Sequence, residues 1–327
     1  MKISEIGEFG LIALLAEINS HAVRPPGLVM GIGDDAAAWK SLPGMTLATT
    51  DCMVQGVHFT PSTTGYFALG WKALATNLSD IAAMGGIADY ALLNLGLPPD
   101  TETEDILSLF RGISSLATER AVFVCGGNTS RSDTFFVNIT VLGHATGPIM
   151  IRSGANPGDL IAVTGRLGAA AAGWRLLQQK RHQNGGEPLI SAFLKPVPRL
   201  EEGQILAGAG ITTCIDVSDG LAADLTHLCL AGGVGAEIRL ADLPVDPAAT
   251  TLFGEHATEL AINGGEDYEL LFTGAKRVMD SLSASKNLSF TAIGEIIQDI
   301  PGKIIFRDST GDEHENQGKG WQHFGAC

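Results

Sequence analysis

Acidic residues recur through this chain in one local setting, a run of apolar or small residues, a turn, and a carboxylate. The motifs are Gly31-Ile-Gly-Asp-Asp35, Thr49-Thr-Asp51, Asn77-Leu-Ser-Asp80, Asp216-Val-Ser-Asp219 and Gly264-Gly-Glu-Asp267. Between the third and fourth lies Gly126-Gly-Asn-Thr-Ser130, with an amide where a sixth acid would fit the pattern. Carboxylates that converge on one rim repel each other unless cations sit between them. Hard oxygen donors without paired His or Cys point to Mg²⁺, which in such company usually carries a nucleotide phosphate. Taken singly, each acid has a plainer explanation. Asp34 or Asp35 reads as a turn residue, Asp219 as a helix cap, and Glu266-Asp267 as a solvated turn. Only the set favours metal.

Composition narrows the partners. At 327 residues the default is two domains, and 45% hydrophobic against 17% charged residues excludes a disordered chain. The formal net charge of -15 argues against nucleic acid, whose phosphates need Lys/Arg stripes. The cysteines Cys52, Cys125, Cys214, Cys229 and Cys327 have no C-x-x-C spacing, which suggests reduced, mostly buried thiols. The first residues carry acids and no basic leader pattern, and no apolar stretch approaches membrane-span length. A soluble, cytoplasmic protein is expected.

The elements that must position these acids follow from periodicity. Residues 4–19 and 104–119 read as helices, and residues 66–84 as a long one closed by Gly85-Gly86. In that long helix Asp80 falls on a face of small residues, opposite Phe67, Trp71, Leu74, Leu78 and Ile81. Residues 46–50, 92–97, 121–125 and 135–142 read as strands, with Asp51 at the end of the first and Gly126-Gly127 ending the third. Gly147 to Gly158, punctuated by Gly and Pro, is the best domain boundary. Beyond it, 159–164, 236–240, 268–273 and 304–307 read as strands, 168–181 as a helix, and Asp216-Val-Ser-Asp219 as the lead-in to another helix. Ser218 or Asp219 is the expected N-cap there. Strands and helices mix without regular βαβ alternation, so two α+β domains are expected, not a Rossmann sheet.

The common nucleotide signatures are absent. There is no P-loop, no kinase H-R-D or D-F-G set, no G-x-S-x-G and no H-E-x-x-H. Metal-bridged carboxylates would have to hold a nucleotide instead. At this point a family resemblance becomes legible. Gly31-Ile-Gly-Asp-Asp35, Thr50-Asp51, His58-Phe59, Asn77-Leu-Ser-Asp-Ile-Ala-Ala-Met-Gly85, Arg152-Ser-Gly-Ala155, Asp216-Val-Ser-Asp-Gly220, Gly264-Gly-Glu-Asp-Tyr-Glu269 and Gly318-Lys-Gly-Trp321 resemble the thiamine-monophosphate kinase family. The match runs in order from about residue 5 to residue 324. Several of these motifs are shared with the wider aminoimidazole ribonucleotide synthetase-like superfamily.

The resemblance implies ATP-dependent phosphorylation of thiamine monophosphate to thiamine diphosphate, with several Mg²⁺ ions, by a homodimer. It implies an N-terminal domain, residues 1–148, for ATP and Mg²⁺ binding and dimerisation. The C-terminal domain, residues 149–327, would complete the substrate and metal site. By position, Asp35, Thr49, Thr50, Asp51, Asp80, Asn128, Asp216 and Asp219 correspond to metal ligands. Gly127, Asn128, Arg152 and Ser218 correspond to ATP contacts, and His58, Glu266 and Trp321 to substrate contacts. No residue is assigned as a general base. The family usually carries Asp at position 128, and Asn there keeps a carbonyl oxygen but drops a charge. Two other readings compete. One is a different ATP-dependent enzyme of the superfamily, some of which use a C-terminal cysteine as Cys327 would allow. The other is a non-catalytic ATP- or metal-binding scaffold.

Overall fold

The computed structural model describes residues 1–25, 27–32, 36–41, 43–179, 185–285 and 287–314. The chain divides into two compact units, residues 1–81 with 87–146, and residues 82–86 with 147–327. No helix among the described residues is long and apolar enough to cross a membrane.

In the first unit α1 spans Ile3–Asn19, β1 Leu28–Met30, β2 Ala38–Trp39, β3 Met45–Val54 and α2 Pro61–Thr64. There follow α3 (Tyr66–Ala83), β4 (Ile87–Leu97), α4 (Thr103–Glu119), β5 (Phe123–Arg131) and β6 (Phe136–Ala145). A four-stranded sheet runs β3-β6-β4-β5, with β4 and β5 parallel and the other pairs antiparallel. The alternation of β6 is complete. Val137, Ile139 and Val141 are buried while Asn138, Thr140 and Leu142 are only half-buried, so one face of the sheet meets the core. Helices α3 and α4 cross at their glycines. A Cβ on Gly70 would lie 1.9 Å from the Leu109 carbonyl oxygen, and one on Gly112 1.9 Å from that of Phe67. On the opposite face the β1–β2 hairpin covers one end, where Trp39 stacks on Tyr90 at 4.9 Å.

Two strands run further than their sequence suggests. β3 continues to Val54, because Met53 and Val54 pair with Val137 and Phe136, so Asp51 lies inside the strand and not at its end. β5 continues through both glycines to Arg131. A register shift beside Leu92 brings Gly127 opposite Leu93, where a Cβ would lie 1.9 Å from the Leu93 oxygen. These glycines keep the strand paired and do not terminate it.

In the second unit β7 is Leu160–Thr164, α5 Ala169–Gln178, α6 Glu187–Leu194, α7 Leu200–Gly208, β8 Thr213–Asp216 and α8 Leu221–Gly232. Then come β9 (Gly235–Arg239), α9 (Pro247–Phe253), α10 (His256–Asn263), β10 (Leu270–Gly274), α11 (Lys276–Ser285), β11 (Phe290–Ile297), β12 (Ile304–Arg307) and β13 (Glu313–His314). The mixed sheet runs β13-β12-β9-β11-β7-β10-β8. Its core joins Ile161, Val163, Ile215, Ile238, Leu271 and Ile296 from the strands to Leu225 and Leu228 of α8. Cys125, Cys214 and Cys229 are buried free thiols as expected, whereas Cys52 is exposed; Cys327 lies outside the described residues. Two α+β units without a Rossmann sheet are what the element pattern predicts.

Candidate active site

The acids of the first unit separate by strand alternation. Thr49 and Asp51 stand in register with Val141 and Ile139, on the sheet face shared with buried Leu47 and Met53. Asp80, near the C-terminal end of α3, meets them there, and the Thr49 hydroxyl donates to Asp80 Oδ2 at 2.5 Å. Asp51 and Asp80 are close enough for a hydrogen bond between their carboxyl groups. Loss of water around Asp51, and after that the charge of Asp80, pushes Asp51 up to about 6. Two acids that resist ionising together form a site a cation can fill, since a divalent ion neutralises both at once. Among the described residues no three His, Cys, Asp or Glu side chains form a ready-made cage. An ion held by one or two carboxylates with water and phosphate completing its shell fits Mg²⁺. The donor set therefore suits the metal.

Thr50 points the other way. Its hydroxyl lies 3.0 Å from that of Thr140 and donates to the Ile139 carbonyl at 3.1 Å. Asn128 shares that second face, in a row with Asn94, Asn138 and Cys52 across the four strands. It is exposed, donates to Ser130 Oγ at 3.4 Å, and stands three strand spacings, about 14 Å, from the edge strand β3. The fold thus groups Thr49, Asp51 and Asp80 and leaves Thr50 and Asn128 apart from them. His58 follows β3 in a turn pinned by Phe59, which is 4% exposed and packs edge-on against Phe135. Its Nδ1 accepts from the Val54 N–H at 3.0 Å, which leaves Nε2 as the ring's donor. Asp35 lies outside the described residues, as does Trp321.

In the second unit two motifs are stitched into one rim. The antiparallel pairing of β8 with β10 extends beyond both strands. Val217 N–H donates to the Glu269 carbonyl at 2.8 Å, Tyr268 N–H to that of Val217 at 2.9 Å, and Glu266 N–H to that of Ser218 at 2.8 Å. Glu266 and Tyr268 take left-handed φ values of 68° and 51°, unusual for side chains of their size. The three acids of Glu266-Asp-Tyr-Glu269 then divide. Asp267 accepts from Gly168 N–H at 2.7 Å and Ala170 N–H at 3.1 Å, holding the start of α5, and burial pushes it up to about 7. Glu269, 4% exposed, accepts from Thr164 and from both arms of the Arg199 guanidinium. Glu266 is half-buried at the head of the motif, its backbone N–H tied to Ser218.

Asp216 ends β8 and is 3% exposed, while Ser218 and Asp219 in the turn beyond it are half-buried. Neither Ser218 nor Asp219 caps α8, contrary to expectation: the N-cap is Gly220, with no side-chain cap. Asp224, from the first turn of the helix, reaches back instead and accepts from the N–H groups of residues 218, 219 and 220. Burial, reinforced by Asp216 and Asp219, pushes Asp224 up to about 8. The available signal was an acid in the first turn after a glycine, where orphan N–H groups need an acceptor. Arg152 is exposed beside Ile151, which bridges to Thr213 at the opposite end of β8 from Asp216, about 10 Å along the strand.

Residues 33–145 match the family described as AIR synthase related protein, N-terminal domain, and residues 156–308 its C-terminal domain. The chain is 34% identical to a thiamine-monophosphate kinase of Aquifex aeolicus (strain VF5), over 99% of this chain and 100% of the other. It resembles the crystal structure of thiamine-monophosphate kinase from Stenotrophomonas maltophilia K279a with TM-score 0.81 and 34% identity, covering 92% and 97% of the two chains. It also resembles AaThiL complexed with AMPPCP and TMP, with TM-score 0.78, 32% identity and 99% coverage of each chain.

Proposed function

The chain belongs to the thiamine-monophosphate kinase family, and from that membership we propose how its own residues divide the work. The reaction is ATP-dependent phosphorylation of thiamine monophosphate to thiamine diphosphate. The observation that carries the assignment of roles is the Asp51–Asp80 pair with Thr49, a site whose acids are close enough to share a proton. Asp51 and Asp80 in the first unit, and Asp216 and Asp219 in the second, would hold Mg²⁺, with Asp35, Thr49, Thr50 and Asn128 as the further donor positions the family implies. Bound Mg²⁺ supplies charge neutralisation on the phosphates and a template for in-line transfer.

The remaining steps belong to side chains. Residues 1–148 bind ATP and residues 149–327 complete the substrate and metal site. Gly127, Asn128, Arg152 and Ser218 contact ATP, and Ser218 does so through its hydroxyl, because its backbone N–H and carbonyl are both engaged. His58 donates from Nε2 to the substrate monophosphate, Glu266 accepts from the aminopyrimidine, and Trp321 stacks on the cationic thiazolium. The acceptor phosphate has a second pKa of about 6 and is already nucleophilic at neutral pH, so no general base is needed. The family reading also makes the protein a homodimer in a cytoplasmic setting.

Purified protein with MgATP is expected to form thiamine diphosphate from thiamine monophosphate, to leave free thiamine untouched, and to stop when the divalent cation is chelated. Nucleotide binding without diphosphate product would reject the reaction, and full turnover in chelator would reject the metal roles. A pH experiment isolates the Asp51–Asp80 pair. Because Asp51 is raised to about 6, the folded chain keeps a proton there that the unfolded chain releases from roughly pH 4 upward. Stability from that proton is complete below roughly pH 4 and is lost as pH climbs through about 6. Mg²⁺ then takes the proton's place, so it should raise Tm more at about pH 7.5 than at about pH 5. Equal shifts at both pH values would remove the pair as a cation site.

A further inference from the structure

The turn 216–220 is held by a residue outside the donor set. Asp224 is 2% exposed, and its Oδ2 accepts from Ser218 N–H at 3.0 Å, Asp219 N–H at 3.1 Å and Gly220 N–H at 3.1 Å. Its own N–H donates to the Gly220 carbonyl at 3.0 Å, so turn and helix are tied in both directions. Gly220 closes the turn at φ 113°, and a Cβ there would lie 3.0 Å from backbone atoms of Asn263. The Val217 N–H is taken by Glu269. Every backbone donor from 217 to 220 is therefore satisfied from within the unit. The turn can meet an anionic ligand only through its side chains and what they hold.

We propose that Asp224 is a positioning residue for phosphoryl transfer: by gathering three consecutive N–H groups it fixes the spacing of Asp216 and Asp219 as cation donors. It touches neither substrate nor metal. The proposal rests on the reading of Asp216 and Asp219 as Mg²⁺ donors. Acceptor geometry is the operative property, because the three N–H groups need an oxygen at that point and not a charge. Asn at position 224 keeps such an oxygen, whereas Ala removes it.

The test is Mn²⁺ binding by the full chain in the presence of AMPPCP, followed by electron paramagnetic resonance, for Asp224→Ala, Asp224→Asn and the control Asp219→Asn. Hydrogen exchange of the peptide spanning 214–222 is measured in parallel. Asp224→Ala should weaken Mn²⁺ binding on the order of 10–100-fold and speed exchange at 218–220, and Asp224→Asn should recover most of both. If Asp219→Asn weakens Mn²⁺ binding and Asp224→Ala does not, the positioning role is wrong. An Asp224→Asn variant as weak as Asp224→Ala, with the turn still protected, would make charge decisive and also overturn it. Wild-type binding by Asp219→Asn would instead bring down the donor reading on which the proposal stands. Should circular dichroism show Asp224→Ala unfolded, Asp224→Asn decides alone, and a loss matching Asp219→Asn overturns the proposal.

Discussion

Asp51→Ala and Asp80→Ala should each lower kcat on the order of 10²–10³-fold, the usual cost of removing one preorganised electrostatic group from a transition state. On the proposed reading the two carboxylates would share a cation, so losing either one would spoil the charge balance for both. Asp51 is exposed along β3 while its carboxyl is partly desolvated beside Asp80, so its Ala variant removes little packing and is the cleaner of the two. Asp80 also accepts the Thr49 hydroxyl, so its Ala variant loses about 1 kcal/mol of hydrogen bonding as well. Asp80→Asn separates the two effects, because its carbonyl oxygen still accepts from Thr49 while the charge is gone. Steady-state kinetics on variants with wild-type circular dichroism spectra decides the matter. Near-normal turnover in Asp80→Asn would mean that Asp80 only anchors α3 to the sheet.

Arg199→Ala should destabilise the fold by about 3 kcal/mol, read from urea unfolding. It strips the bidentate partner from Glu269, whose side chain is 6% exposed, and leaves a carboxylate stranded with Thr164 as its remaining side-chain donor among the described residues. The Arg199 side chain is itself 29% exposed, so water reaches the gap and holds the cost to the lower end of the usual range. Arg199→Lys restores charge without the two-armed geometry and should recover only part of the loss. A pair of apolar replacements, Arg199→Met with Glu269→Leu, should be more stable than Arg199→Ala alone, because no buried charge is left unpaired. A loss well under about 1 kcal/mol in Arg199→Ala would show that Glu269 is effectively solvated.

Periodicity made the frame readable. The alternation of β6 and the helical spacing of α4 stand almost where residues 135–142 and 104–119 place them. The acids were legible as a set for the same local reason, a glycine or apolar run beside each. Their assignment to faces was not. Thr49, Thr50 and Asp51 look like one cluster in sequence, yet alternation within a strand that continues past them sends Thr50 to the far side with Thr140. Residues that hold the site rather than form it stayed hidden because their partners are distant or depend on the finished turn. Thr49 and Asp80 meet across 31 residues, and Arg199 finds Glu269 across 70. Asp224 looks like an ordinary acid of a first helical turn until Gly220 bends the chain back over it.

The stitching of the 216–219 turn to the 266–269 segment has a consequence for how the protein is made. Asp224 can gather the turn early, but the turn is not locked to the sheet until the strand that completes it has left the ribosome, about 50 residues later, a few seconds at ordinary synthesis rates. Until then Val217 lacks its backbone partners in the later segment, and the carboxylates of Asp216 and Asp219 sit on an unzipped edge. A chain cut short anywhere before β10 is complete therefore cannot own half of this rim. The second unit should acquire cation affinity in one step with its sheet, so a nascent-chain series would register metal binding and protease resistance at the same length.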